Sequence, residues 1–165
     1  MSDPFRLQVL KALTAAFEEI TPANGYANDL SGKVFRGRTS FGEDDPIPMV
    51  CILEAIEQEQ PGTVSMAAAS GTSNGPWVLL IQGFVDDDPQ NPTDPAHILM
   101  ADVKKRLAVE RPRERQHNIL GMGGRVHELK ISPGVVRPPD DISGKAYFWL
   151  RITLGMVENL SDPYL

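Results

Sequence analysis

The amino-acid sequence predicts an α+β fold in which a mostly antiparallel β-sheet is packed by an N-terminal helix and a central amphipathic helix. Two segments repeat apolar side chains at spacings of three and four, as one face of a helix does, whereas other segments alternate or form short apolar runs. The order is helix, strands, helix, strands, without the strand–helix–strand alternation that builds parallel sheets. A length of 165 residues, with no internal repeat, predicts one domain spanning residues 1–165.

The first predicted element is a helix from Pro4 to Ile20. Ser2 or Asp3 is expected to cap it, and Pro4 suits its first turn because proline lacks an N–H that would stay unpaired there. The apolar stripe of this helix consists of Val9, Leu10, Leu13, Ala16, Phe17 and Ile20. A loop rich in Pro, Asn and Gly follows over residues 21–29.

Two strands and a long loop come next. Lys33 to Arg38 predicts a short strand and Met49 to Ile56 a second one, with an acidic, proline-containing loop between them. Residues 58–76 are rich in Gly, Ser, Thr and Ala and show no clear period. They predict a flexible loop that is partly disordered in the isolated chain, and such loops are uncommon in compact domains unless they bind something.

The central passage predicts a strand, an acidic loop and the second helix. Trp77 to Val85 is an apolar, β-favouring run, and the four Asp and three Pro between Asp86 and Pro95 then stop the strand. Asp94 is expected to cap the helix and Pro95 to start it. The predicted apolar helix face consists of Ala96, Leu99, Met100, Val103 and Leu107. The polar side chains predicted to lie off this face are Asp102, Lys104, Lys105 and Arg106.

The C-terminal third predicts two more strands. Gly121 to Gly124 predicts a hinge or tight turn, because the lysine of a phosphate-binding loop is missing. Arg125 to Ile131 alternates, with Val126, Glu128 and Lys130 on one side, and Pro133 to Asp141 predicts a loop. The strongest predicted strand is Ala146 to Met156. Its core face is expected to consist of Phe148, Leu150, Ile152, Leu154 and Met156, and its other face of Tyr147, Trp149, Arg151, Thr153 and Gly155.

Charge and composition narrow the function classes. Residues 1–102 carry 15 acidic and 5 basic side chains, whereas residues 103–165 carry 7 and 11, within a net charge of −6. An acidic chain is a poor DNA binder, because phosphate neutralisation supplies most non-specific affinity. The two patches could attract copies of the chain to one another, or they could be solvated faces. No apolar segment reaches the ~18 residues of a membrane span and no signal peptide is recognisable, so we expect a soluble protein made in a cytoplasm.

The sequence contains few arrangements that could support catalysis. Cys51, the single cysteine, lies in an apolar run and predicts a buried structural thiol. His97 could join Asp86, Asp87 and Asp88 around a divalent metal, as in a metal-dependent hydrolase or nuclease. No HExxH, CxxC or EF-hand spacing accompanies them, and a solvated loop that caps the next helix is the alternative. We expect no enzyme activity, no cofactor and no metal site.

The layout resembles that of the tail terminator, or tail completion, proteins of long-tailed bacteriophages. The N-terminal helix ends in a loop with Gly25 and Tyr26, and Val34 and Phe35 follow. A strand introduced by proline spans Pro48 to Glu57. The passage LLIQGFVDDD…DPAHILMADVKKRL joins a strand to a helix, and the long final strand FWLRITLGMVE precedes a short polar tail.

The resemblance implies a structural protein that forms a ring, typically a hexamer, at the head-proximal end of the tail tube. Its partners would be copies of itself, the tail tube protein and the head connector or neck protein, while DNA passes through without specific binding. It would belong to the virion, in the phage tail or neck, after assembly in the host cytoplasm. A head–tail neck adaptor, or another tail-tube or baseplate subunit, is the alternative, and a metal-dependent hydrolase is a remote one.

Two sets of charged residues are predicted to serve such a ring. The first set would join neighbouring copies, acids against arginines: Glu43, Asp44 and Asp45 against Arg111, Arg113 and Arg115. The second set is expected to face the channel, where negative charge would repel the DNA backbone: Asp86, Asp87 and Asp88.

Overall fold

The computed structural model describes residues 2–56, 65–67, 71–110 and 118–165, and within these ranges the chain forms two α-helices and seven β-strands. The helices are α1 (Phe5–Glu18) and α2 (Asp94–Val109). The strands are β1 (Val34–Arg36), β2 (Met49–Glu54), β3 (Ser65–Ala67), β4 (Thr72–Val85), β5 (Val126–Ile131), β6 (Val135–Arg137) and β7 (Ala146–Asn159). Short 3-10 turns lie at residues 22–24, 119–121 and 123–125, so the tight turn predicted at 121–124 is confirmed.

β4 and β7 form the centre of the sheet. The strand order is β1-β2-β4-β7-β5, with β3 paired to β4 and β6 paired to β7. β1 runs parallel to β2, and the other pairings among the described strands are antiparallel. β4 and β7 pair along their whole lengths, from Thr72 opposite Asn159 to Val85 opposite Ala146. The predicted α+β class, with a mostly antiparallel sheet and two packed helices, is therefore confirmed.

The main hydrophobic core lies between the two helices and one face of the sheet. The predicted stripes of α1 and α2 are buried in it, apart from the half-buried Leu10. The alternation predicted for β7 is also confirmed, because Phe148, Leu150, Ile152 and Leu154 are each 0% exposed. Gly83 of β4 lies directly beneath the Phe148 ring, which leaves no room for a Cβ atom. The apolar periodicity of the sequence thus identified the core face of each of these elements.

Two predicted loops are partly strands, and both predictions need correction. β3 and the first five residues of β4, Thr72 to Pro76, lie inside the predicted flexible loop at 58–76. β6 lies inside the loop predicted from Pro133 to Asp141. In each case neighbouring strands supply backbone hydrogen-bond partners, which outweigh the weak strand preference of Gly, Ser and Pro. Residues 58–64 and 68–70 of the predicted loop lie outside the described residues.

The predicted helix caps are also corrected. Pro4 occupies the cap position of α1, without a side-chain cap, and the Phe5 N–H instead donates to the Pro163 carbonyl at 2.7 Å. Asp3 pairs with Lys11 at 2.7 Å. At α2 the cap position is Thr93, so the helix begins at Asp94, one residue earlier than the predicted start at Pro95. The C-terminal segment therefore supplies an acceptor for α1 that local sequence could not reveal.

The alternation predicted for β5 is wrong at its first residues. Val126 and Leu129 are buried, whereas His127 and Glu128 between them are both exposed. The register with β7 shifts between Val126 and Glu128, which is a β-bulge. The extra residue turns the following side chains to the opposite faces, so Leu129 reaches the core instead of Glu128.

The polar side of α2 is partly buried, because Asp102 and Arg106, which were predicted to lie off the apolar face, are covered by other parts of the chain. Asp102 is 7% exposed and accepts hydrogen bonds from the backbone N–H groups of Ala27 and Asn28 at 3.1 and 2.9 Å. Arg106 is 8% exposed, and its guanidinium group lies between two carboxylates. These are Glu19 at 3.0 Å and Glu110 at 2.9 Å. The loop after α1 packs over this side of α2, so buried charges there are matched by partners.

Among the described residues, neither α1 nor α2 is long and apolar enough to cross a membrane.

Candidate interaction surface

Three acidic loops meet at one end of the sheet. β2 begins, β4 ends and β7 begins there, because Phe84 pairs with both Met49 and Tyr147. The loops are residues 39–47, 86–93 and 138–145, and together they contain eight acidic side chains and one basic side chain, Lys145. The acids are Glu43, Asp44, Asp45, Asp86, Asp87, Asp88, Asp140 and Asp141. The two sets of acids predicted for different roles thus lie at the same end of the sheet, which we call the acidic end.

Two of the three acids at 86–88 have partners within the chain. Asp86 forms an ion pair with Lys145, and this hydrogen bond is the main reason that the pKa of the Lys145 ammonium group is raised. Asp88 accepts hydrogen bonds at 2.8 Å from the N–H groups of the second and third residues after it, which closes the loop. Asp87 is exposed and forms no ion pair among the described residues. Asp87 is therefore the acid of this set whose charge is most available to other molecules.

The loop at 39–47 shows a similar division. Asp45 accepts a hydrogen bond from Arg38 Nη1 at 2.8 Å and another from the backbone N–H of Gly42 at 2.7 Å. Glu43 and Asp44 are exposed, and neither forms an ion pair with any residue that the structure describes. The arginines predicted to meet this loop in a neighbouring copy lie outside the described residues: Arg111, Arg113 and Arg115. That contact stays a prediction.

Asp140 and Tyr147 form a pair that the sequence analysis missed. The Tyr147 hydroxyl donates to Asp140 Oδ2 at 2.8 Å. This hydrogen bond is the main cause of the lowered pKa of Asp140, while burial and then the same bond raise the pKa of Tyr147. Asp140 Oδ1 also accepts from the N–H of Ile142 at 2.8 Å. The available signal was weak, since an Asp-rich loop before a strand is usually only a turn.

A groove of about 850 Å³ opens at the acidic end. It lies on the sheet face opposite the helices, because its floor is built from strand residues that alternate with those of the main core. The floor consists of Met49, Gln82, Phe84, Tyr147 and Trp149, and the walls include Phe41, Ile47, Ile142 and Lys145. Glu43 and Asp45 line the same groove. The groove therefore joins an apolar floor to an acidic border.

The aromatic residues of the groove form a continuous row. The ring centroids of Phe41 and Phe84 are 4.6 Å apart, those of Phe84 and Tyr147 6.2 Å, and those of Tyr147 and Trp149 5.7 Å. Trp149 is half-buried, and among the described residues its indole N–H forms no hydrogen bond. Ile142, in the wall of the same groove, is 78% exposed. One end of the row is thus accessible, with an apolar surface and one free donor.

His97 and Asp86 were candidate metal ligands and Cys51 a candidate nucleophile, but the fold gives each of them a different environment. His97 is exposed on α2, and Asp86 is paired with a lysine. The described ranges contain no group of three or more His, Cys, Asp or Glu side chains that could hold a metal ion. Cys51 is buried, its thiol lies 3.4 Å from the Arg38 carbonyl oxygen, and burial raises its pKa. The predicted buried thiol is confirmed.

Comparison of the chain with protein-family models finds no matching family, and comparison with the curated proteins finds no matching relative. The features of the molecule that bear on its function are the acidic end, the groove beside it, and the order of helices and strands.

Proposed function

We propose that this protein is a structural subunit of a bacteriophage tail, a terminator whose copies form a ring, most simply a hexamer. The ring closes the head-proximal end of the tail tube and receives the head connector. The protein is then a component of the virion that is assembled in the host cytoplasm, and its work is done by contacts with its neighbours.

The acidic end of the sheet is the observation that carries the proposal. All copies in a cyclic ring have the same orientation relative to its axis, so a feature at one end of each copy becomes a continuous band. Copies of Asp86, Asp87 and Asp88 would form a negatively charged collar, in which the exposed Asp87 forms no ion pair among the described residues. Such a collar would repel DNA phosphates and let a genome pass without sticking.

The architecture gives a second line of support. The resemblance to tail terminators depends on an N-terminal helix, a strand-to-helix passage through an acidic loop and a long C-terminal strand. These features correspond to α1, to β4 and α2, and to the 14-residue β7. The element order that motivates the proposal is therefore the order in the folded chain.

Imaging of the purified protein is the direct test. Negative-stain electron microscopy at micromolar concentration is expected to show rings of one diameter, and sedimentation velocity is expected to give one species several times the 18.1 kDa of the monomer. Compact single particles together with a monomer peak at high concentration would contradict the proposal. Added tail tubes separate the two structural alternatives, because a terminator cosediments with tubes whereas a neck adaptor binds the head connector.

A triple substitution tests the role of the collar. Asp86→Asn, Asp87→Asn and Asp88→Asn together are expected to leave folding and ring formation intact. The exposed charges of Asp86 and Asp87 contribute little to stability, and an Asn side chain keeps the oxygen that accepts the two backbone hydrogen bonds at Asp88. Fluorescence anisotropy with duplex DNA is expected to show a new, weak affinity at low salt that is absent from the unmodified protein. Glu18→Gln, Glu128→Gln and Glu158→Gln together make the matched control, since they remove the same charge outside the acidic loops.

The same triple variant tests the metal-dependent alternative. Calorimetric titration of the unmodified protein with Mg²⁺ is expected to show no saturable micromolar binding, because the Lys145 ammonium already occupies one side of Asp86. Saturable binding that the triple substitution abolishes would contradict a purely structural role for this loop.

A further inference from the structure

We propose that the groove at the acidic end is a docking site for an arginine-bearing segment of a partner protein. The lining and volume of the groove do not depend on whether the protein forms rings. Three properties of the groove identify the occupant: the half-buried Trp149 at the accessible end of the aromatic row, the carboxylate of Glu43, which forms no ion pair among the described residues, and the volume of the groove.

The aromatic row and the border charges select a cation with a flat, weakly hydrated head. Rings attract cations placed over their faces, and Trp does so most strongly. Trp149 is half-buried in the floor, and Glu43 on the border forms no ion pair among the described residues. A guanidinium group can stack on the indole and donate paired hydrogen bonds to a carboxylate, which a lysine ammonium cannot do.

The chain already contains one arginine that stacks on an aromatic ring beside a carboxylate, next to the loop at residues 39–47. The Arg38 guanidinium carbon lies 4.0 Å from the centroid of the Phe35 ring, and its Nη1 atom donates to Asp45 at 2.8 Å. Asp45 is itself a lining residue of the groove. An arginine that stacks on an aromatic ring beside a carboxylate is therefore compatible with the local geometry and charge.

The volume of the groove indicates a short segment of chain. A groove of about 850 Å³ is at the upper end of the range of ligand pockets. One arginine side chain would fill only part of it, which leaves room for apolar neighbours against Phe41 and Ile142. The free indole N–H of Trp149 could donate to a backbone carbonyl of the segment. The inferred occupant is thus a short peptide that carries both arginine and apolar side chains.

Calorimetry with a synthetic peptide tests the proposal. The probe is acetyl-Gly-Leu-Arg-Leu-Arg-Gly-amide, and its control replaces both arginines by citrulline, which has nearly the same shape without the charge. We expect saturable binding of the arginine peptide with a Kd below about 1 mM, together with a change in Trp149 fluorescence. The citrulline peptide is expected to bind at least about tenfold more weakly, because it loses both the cation–π attraction and the ion pair.

Two variants test whether the arginine peptide binds in the groove. Glu43→Gln removes an exposed charge and is expected to weaken binding about threefold, and Trp149→Leu is expected to weaken it about tenfold. Glu128→Gln removes an exposed carboxylate from β5 and should change nothing. Equal affinity for both peptides, no saturable binding, or affinity unaffected by both groove variants would overturn the proposal.

Discussion

Replacement of Ile152 by Asp is expected to lower the free energy of unfolding by more than about 3 kcal/mol. Ile152 is 0% exposed at the centre of β7, and it pairs with Leu79 on one side and Ile131 on the other. A carboxylate there would lose its hydration, and the neighbouring strands offer it apolar side chains instead of partners. Urea unfolding followed by circular dichroism measures the change, provided that the slope of the transition stays the same.

Thr153→Asp is the matched control, because it introduces the same carboxylate one residue along the same strand. Thr153 is half-buried on the opposite face and pairs with Lys130 of β5, whose ammonium group would be a favourable cross-strand neighbour. We expect this variant to lose less than half as much free energy of unfolding as Ile152→Asp. Similar losses in the two variants would show that the two faces of β7 do not differ as the structure indicates.

The difference between these two positions was predictable from sequence, because it depends on a local property. In a strand, successive side chains point to opposite faces, so an alternation of apolar and polar residues identifies the buried side directly. β7 alternates over most of its length, and its core face was predicted in full. The bulge in β5 shows the limit of this method, since one extra residue reversed the faces after Val126 without any change in the pattern of the sequence.

The buried charges of α2 could not be predicted in the same way. Helical periodicity separates apolar from polar positions, but it does not reveal whether a polar position is covered by another part of the chain. The partners of Asp102 lie 74 and 75 residues earlier, and Glu19 lies 87 residues before Arg106. Only the packing of the loop after α1 against α2 brings them together. A buried polar group with distant partners leaves no local signal.

The candidate interaction surface has features of both kinds, some that the local sequence predicts and some that only the packing of distant segments produces. Sequence identified the acids at 43–45 and at 86–88, since runs of Asp and Glu beside proline are evident in any loop. Their convergence depends on the pairing of β2, β4 and β7, which no single segment specifies. The ion pair between Asp86 and Lys145 spans 59 residues, and the groove draws its lining from three separate parts of the chain. Residue types were therefore predictable at this site, whereas their arrangement was not.

Asp102→Ala is expected to lower the free energy of unfolding by about 2–4 kcal/mol, because it leaves several donors without an acceptor. The carboxylate accepts from the backbone N–H groups of Ala27 and Asn28, and from Asn28 Nδ2 at 2.9 Å. Lys105 contributes a weaker tether to the same loop, since its ammonium group donates to the Gly25 carbonyl at 2.7 Å from an exposed position. Asp102 is thus the main connection between α2 and the loop after α1.

Asp94→Ala separates this effect from the general loss of a carboxylate on α2. Asp94 is exposed in the first turn of the same helix, where a negative charge contributes about 0.3–1 kcal/mol through the helix dipole. Amide hydrogen exchange provides the second readout, because the N–H groups of Ala27 and Asn28 should lose protection in Asp102→Ala and keep it in Asp94→Ala. Unchanged protection of these two amides in Asp102→Ala would contradict the anchoring role. Such a result would mean that packing alone holds the loop against α2, and the loss of stability should then fall to the level of the control.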